Sequence, residues 1–194
     1  IDNRLARAQQ HYRHAISLNE RFFYPHLQRG LVSRDLGEIN AAKSSLTRSI
    51  ELLPTAAAYN ALGEIAESEG NLDQALKYFS AASKDTGAAG EAALTSLVRL
   101  RIARQPDAFI DAQMGLAGNG EWVLIIGNTA PRDFTGLILE LAYADLNGRV
   151  RRQQISVSGI LAAASSRRIS SGLSRAVSSN APRVTVLRIQ LAVN

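Results

Sequence analysis

Tyr59-Asn60-Ala61-Leu62-Gly63-Glu64-Ile65-Ala66, followed by Gly70-Asn71 and then by Ala75, Phe79 and Ala82, is the stretch on which the fold of this chain turns. Working outward from it, the same small and apolar residue types stand 33 positions earlier: Gly63, Gly70, Ala75, Phe79, Ala82 and Gly87 answer to Gly30, Gly37, Ala42, Leu46, Ser49 and Pro54. Three columns continue a further 34 positions back, to Ala8, Tyr12 and Ala15. A period of this length is that of a helical hairpin which cannot bury its apolar face alone and is stabilised by stacking on its neighbours. Small residues recur because two helices cross there. Gly63 and Ala75 are expected to let the two helices of one hairpin approach closely, Phe79 to fill the gap toward the next hairpin beside Tyr59, and Gly70-Asn71 to make the tight turn.

Tyr59, Leu62, Gly63, Ala66, Ala75, Phe79 and Ala82 resemble the tetratricopeptide (TPR) signature, and the spacing is that of TPR arrays. The first helix, about Asn3 to Leu18, matches only the second helix of a repeat, and the chain starts at Ile1 rather than at methionine. The expectation is therefore a C-terminal fragment whose parent carries further repeats upstream.

A chain of 194 residues has room for two modest domains, and 46% hydrophobic with 20% charged residues is ordinary globular composition. No stretch reaches the roughly 18 uninterrupted apolar residues of a membrane-spanning helix. Zero cysteines exclude a disulfide framework, a thiol nucleophile and a Cys-ligated metal. The net charge is +5 and unevenly placed: residues 1–108 carry 13 basic and 12 acidic groups, residues 109–194 carry 9 and 5. The excess belongs to the second half, around Arg149, Arg151, Arg152, Arg167, Arg168, Arg175 and Arg183. Such a surface attracts anions, or is simply a solvated face of strands. No aromatics interleave with these arginines as a single-strand nucleic-acid platform requires, so no nucleic acid is expected.

The periodicity changes character once. After the repeats, Glu91 to Ala103 reads as an amphipathic helix with Leu94, Leu97, Val98 and Ile102 on one face, a cap for the solenoid. Gln105-Pro106-Asp107 breaks it. This divides the chain into a TPR solenoid with capping helix over 1–105 and an all-β, immunoglobulin-like sandwich over 106–194. Ile110–Leu116 and Glu121–Gly127 are joined by Gly118-Asn119-Gly120, and after Gly136 the alternating Leu137, Leu139, Leu141 and Tyr143 share one face. Asn147-Gly148 is a strong hairpin signal because both residues tolerate positive φ. The return strand is Arg149–Ser158, Ala162 to Asn180 holds one or two short strands, and Arg183–Val193 is the last, six or seven strands in all. Trp122 is expected in the core.

Candidate chemistry is sparse. His11 and His14 stand three apart on a helix, a spacing that can place two imidazoles on one metal, but no third ligand stands at a helical interval with them. Glu64, Glu67 and Glu69 are expected as solvated charge rather than an acid/base pair. Gly115, Gly118 and Gly120 have hairpin rather than phosphate-loop spacing, no serine stands in a nucleophile elbow, and no H-E-x-x-H occurs. The reading assigns this chain no catalytic residue, no metal site and no cofactor.

Short phrases add a family resemblance. Arg21-Phe22-Phe23-Tyr24, Leu52-Leu53-Pro54-Thr55-Ala56, Ala61-Leu62-Gly63-Glu64, Glu91-Ala92-Ala93 and Gly127-Asn128, in that order, resemble the C-terminal region of bacterial zinc metallopeptidases related to the CAAX prenyl proteases. The resemblance implies a zinc-bearing H-E-x-x-H domain upstream, a periplasmic or envelope location, and a TPR region that packs on the catalytic domain and influences substrate access. Two classes of function compete. In one, the concave face binds a protein or peptide, or the parent's own catalytic domain, through Tyr24, Leu27, Leu31 and Arg34 of one repeat and Asn60, Glu64 and Glu67 of the next. Such a module either serves the peptidase or stands alone as a TPR adaptor. In the other, the basic β domain binds an anionic envelope component through Arg151, Arg152, Arg167 and Arg168.

Overall fold

Helix α1 (Asp2–Leu18) packs on α2 (Phe23–Asp35), which pairs with α3 (Ile39–Leu52); α4 (Ala56–Ser68) pairs in the same way with α5 (Leu72–Ala82), and α3 and α2 both touch α4. The computed structural model describes residues 2–178 and 180–192. Two of the recurring glycine columns have different physical causes. A Cβ on Gly30 would lie 2.6 Å from Leu46 Cγ, and one on Gly63 would lie 2.6 Å from Phe79 Cε1. The same helix-on-helix crossing is thus built twice, and only a hydrogen at the glycine leaves room for the large residue opposite. Phe79 accordingly fills the space over Gly63 of its own hairpin, where the sequence alone predicts the gap toward the next repeat.

Gly37 and Gly70 stand at φ +76° with nothing near them. Each is the left-handed residue that closes a helix: Gly37 N–H donates to Arg34 O and Glu38 N–H to Ser33 O, and Gly70 N–H donates to Glu67 O and Asn71 N–H to Ala66 O. These are two copies of one Schellman closure. The core between the hairpins contains Leu27, Ala42, Leu46, Ala58, Ala61, Leu62 and Ile65.

Helix α6 spans Ala88–Arg104 and ends just before Pro106. The chain nevertheless parts into compact units at Leu97/Val98, inside this helix, where the sequence reading divides it at 105/106. Buried Ala93 and Leu97 fall in the first unit and buried Val98, Leu100 and Ile102 in the second.

Among the described residues the second unit continues with six strands, β1 (Ile110–Leu116), β2 (Glu121–Asn128), β3 (Phe134–Ala144), β4 (Val150–Val157), β5 (Ser166–Ser174) and β6 (Arg183–Leu191). They form two antiparallel sheets, β1-β2-β5 and β4-β3-β6. Trp122 and Leu173 of one sheet share a core cluster with Leu141 of the other, with Met114, Tyr143, Ile155 and Val184 packed against it, so the sheets face each other. Among the described residues the Ser/Ala-rich stretch holds one strand, β5, and Val193, read as the end of the last strand, lies outside the described residues. The β3–β4 turn differs from the expected pair of positive-φ residues. Only Gly148 is left-handed (φ +75°). Asp145 takes the organising role, its Oδ1 accepting from Asn147 N–H at 3.0 Å and Arg149 N–H at 2.9 Å.

Candidate functional site

Helices α2 and α4 are the first helices of successive repeats, so residues spaced 33 apart on them run side by side. Arg34, at the last turn of α2, reaches across to α4: its Nη1 lies 2.5 Å from Glu64 Oε2 and its Nη2 lies 3.1 Å from Asp35 Oδ1. Asn60 Nδ2 donates to Glu64 Oε1 at 2.8 Å. The side chains of Arg34 and Glu64 remain 31% and 45% exposed. The other end of the Asn60 amide is different: Oδ1 is buried and accepts no hydrogen bond among the described residues. A buried acceptor without a donor is costly unless something fills it.

The seven residues read as the concave face therefore separate. Arg34, Asn60 and Glu64 form one polar cluster. Glu67 is half-buried one turn beyond Glu64, and Tyr24 is 46% exposed at the start of α2. Leu27 is buried in the core, and Leu31 packs against it. The reason is geometric: α2 has α1, α3 and α4 around it, so more of its circumference is covered than a single apolar stripe shows.

Apolar exposure missed by the sequence reading collects where α2 and α4 begin. Phe22 is 49% exposed beside Tyr24, with Phe23 edge-on to Phe22 at a centroid distance of 5.7 Å. Leu53 is 45% exposed at the end of α3. An open groove of about 530 Å³ is lined by Pro54, Thr55, Ala56, Tyr59, Ala81, Lys84 and Asp85. The phrases Arg21-Phe22-Phe23-Tyr24 and Leu52-Leu53-Pro54 carried this signal, since consecutive large apolar residues at a helix start exceed what one buried stripe uses.

His11 and His14 are exposed on α1, and no group of three His, Asp or Glu suited to a metal ion stands among the described residues. His26 is buried, with Nε2 3.0 Å from Glu20 O. Among the described residues no helix is long and apolar enough to cross a membrane.

In the β unit, the four arginines read as one anionic-surface site lie on different sheets and at opposite ends. Arg151 and Arg152 follow the β3–β4 turn, where Arg151 Nε is 3.0 Å from Asp145 Oδ2 and Arg152 Nη1 is 3.2 Å from Glu140 Oε1. Arg167 and Arg168 begin β5, opposite Ile126 and Ile125 near the end of β2. Arg167 donates to Ser158 O at 2.7 Å and Ile160 O at 2.6 Å, and so acts as a tie for the preceding loop.

Residues 56–84, which are helices α4 and α5, match the tetratricopeptide repeat family. The helical unit is thus TPR-like. No curated protein matches the chain. Among solved structures, one similar chain is the Pseudomonas fluorescens alkylpurine DNA glycosylase AlkC bound to DNA containing an abasic site analog, at 12% identity and a TM-score of 0.23 over 77% of this chain and 43% of that one. The chain thus covers less than half the length of that structure.

Proposed function

We propose that the helical unit is a protein-interaction module that takes an extended peptide along the exposed faces of α2 and α4. The observation that carries this reading is the Arg34–Asn60–Glu64 cluster, a polar crossing between the first helices of two repeats whose charged side chains stay part-exposed. Tyr24 and Arg34 are ten residues apart on one helix, about 15 Å at 1.5 Å per residue. That accommodates four or five residues of extended peptide. Tyr24 supplies an apolar contact at one end. At the other end Arg34 stands between two part-exposed carboxylates, Asp35 and Glu64, so a cationic side chain is the matching partner chemistry.

The test is a peptide-display selection on the full chain, followed by binding to the Asn60→Ala/Glu64→Ala and Tyr24→Ala variants. Selected peptides carrying Lys or Arg, with at least tenfold weaker binding to both variants at an unchanged helical spectrum, support the reading. Peptides that bind parent and variants equally sink it.

Two finer readings accompany this one. The strand order β1-β2-β5 and β4-β3-β6 corresponds to A-B-E and C′-C-F of the immunoglobulin arrangement, which supports an immunoglobulin-like β unit. Service to an envelope zinc metallopeptidase rests on the short phrases quoted above. An export signal and an H-E-x-x-H helix encoded upstream of Ile1 would support it, and further repeats alone would leave a TPR adaptor.

A further inference from the structure

The two sheets of the β unit bring three connections to one end. β2 starts at Glu121, which pairs with Ser174 at the end of β5, while Ala142 and Tyr143 near the end of β3 pair with Arg183 of β6 and Arg151 of β4. The β1–β2, β3–β4 and β5–β6 connections therefore lie together, above the core formed by Trp122, Leu141 and Leu173. Each exposes an aliphatic side chain: Leu116 is 40% exposed, Leu146 68%, Val150 71% and Val177 40%. Arg149, Arg151, Arg175 and Arg183, all exposed, stand among them. The carboxylates at this end are Asp145 and Glu121, so four cations face two anions. Both carboxylates are already engaged, Asp145 by Arg151 and the turn backbone, Glu121 by Ser170 and Asn119.

The connections are held in place. Arg175 N–H donates to Gly120 O at 2.9 Å, and Trp122 Nε1 donates to Ser178 O at 3.0 Å, tying the β5–β6 connection to β2 and its preceding turn. Leu146 and Val150 flank the Asn147-Gly148 turn that Asp145 organises. Their exposure is thus a property of a fixed hairpin, and two aliphatic side chains at its tip gain nothing from folding.

We infer that this end of the β unit docks on an anionic lipid surface, with Leu146 and Val150 entering the headgroup boundary and Arg149, Arg151, Arg175 and Arg183 meeting lipid phosphates. Aliphatic tips ringed by arginines suit an interface that is apolar within and anionic at its surface. The aliphatic side chains come from three separate connections rather than the walls of one groove, which fits a broad surface better than a peptide. No aromatic side chain is among the large apolar residues exposed at this end, so the stacking that single-stranded nucleic acid uses is not provided. The inference is independent of the peptide reading of the helical unit.

The experiment is flotation of the full chain with vesicles of phosphatidylcholine alone and with one quarter phosphatidylglycerol, at low and moderate salt. The expected result is partition onto the anionic vesicles only, weakened by salt. Leu146→Glu/Val150→Glu should lower partition at least tenfold, and Arg149→Gln/Arg175→Gln severalfold, each with unchanged Trp122 emission as the check on folding. Equal partition onto both vesicle types, or a Leu146→Glu/Val150→Glu variant that floats as well as the parent, overturns it. So does retention on an oligonucleotide or an acidic peptide without flotation, which would mark a soluble polyanion site.

Discussion

The helical unit and the β unit solve their packing in opposite ways. In the former, one contact is written twice: Gly30 under Leu46 and Gly63 under Phe79, each followed seven residues later by a left-handed glycine that closes the helix. In the latter, the organising contacts are single polar side chains, each used once. Asn128 is the clearest. It is 2% exposed, its Nδ2 lies 2.8 Å from Arg132 O, 3.0 Å from Leu161 O and 3.1 Å from Ala162 O, and its Oδ1 accepts from Ala130 N–H at 2.9 Å. A repeated contact shows in a sequence as a period, whereas a unique clamp leaves no such trace. Repetition also spreads the load over several copies, while a clamp concentrates it.

Breaking the clamp should therefore have the largest effect. Asn128→Ala leaves the buried Ala130 N–H without its side-chain acceptor, at about 1–3 kcal/mol for a buried unsatisfied group. Leu161 O keeps the Phe134 N–H and Ala162 O keeps Ser165. A loss of roughly 1–3 kcal/mol is expected on these grounds. The single tryptophan, Trp122, lies in the β unit, so denaturant unfolding followed by its fluorescence reads the loss directly. A change within a few tenths of a kcal/mol would mean that the polar clamp is ornament and that the contrast between the units is mistaken.

The next effect tests the repeated contact. In Gly63→Ala the added methyl meets Phe79 Cε1 at 2.6 Å and Cδ1 at 2.7 Å, and Phe79 is fully buried. Overpacking of that kind costs about 1–3 kcal/mol, partly offset by the roughly 1 kcal/mol by which alanine favours a helix over glycine. Gly30→Ala meets Leu46 Cγ at 2.6 Å and also the Leu46 backbone nitrogen at 3.2 Å, which no rotamer change can move, and should be the costlier of the two. Thermal melts followed at the helical band give the order, and a reversed order would show that the two hairpins are not equivalent.

The same contrast explains what could be read from the chain. The period located both hairpins and their turns, because a glycine needed for close approach or for positive φ has few substitutes. A period does not tell which large residue each glycine faces, and Phe79 lies over Gly63 of its own hairpin. In the β unit alternation gave the strands, but charge counting treated Arg151, Arg152, Arg167 and Arg168 as neighbours. Only strand register shows that two follow the β3–β4 turn and two begin β5. Asn128 stood in view within Gly127-Asn128, yet nothing local distinguishes a buried clamp from a turn residue. At the candidate site, Leu27 and Leu31 follow the stripe inward, Arg34 and Glu64 stay part-exposed, and Asn60 is half-buried beside them.

A smaller effect belongs to Asp145. The Arg149 backbone N–H, with help from Arg151 and Asn147, holds its carboxyl below the usual carboxylate range. Because the folded-state value is depressed, its contribution is present above the unfolded value and is lost as pH falls through the folded one. Local protection of the Arg149 amide from hydrogen exchange should therefore weaken with acid in the parent. Asp145→Asn keeps an acceptor but no charge, and should flatten that dependence. An unaltered acid profile would remove Asp145 from its organising role.

The smallest expected effect concerns the Arg34–Glu64 pair, whose side chains are 31% and 45% exposed. Pairs this accessible are screened and contribute about 0.2–1 kcal/mol. A double-mutant cycle with Arg34→Ala and Glu64→Ala should give a coupling in that range that shrinks with added salt. A small coupling sharpens the functional argument, because the cluster then contributes little to holding α2 on α4. Its loss should appear in peptide binding rather than in stability. A coupling of several kcal/mol, insensitive to salt, would make the cluster a second clamp like Asn128, and the helical unit would no longer rest on its repeated glycine contacts alone.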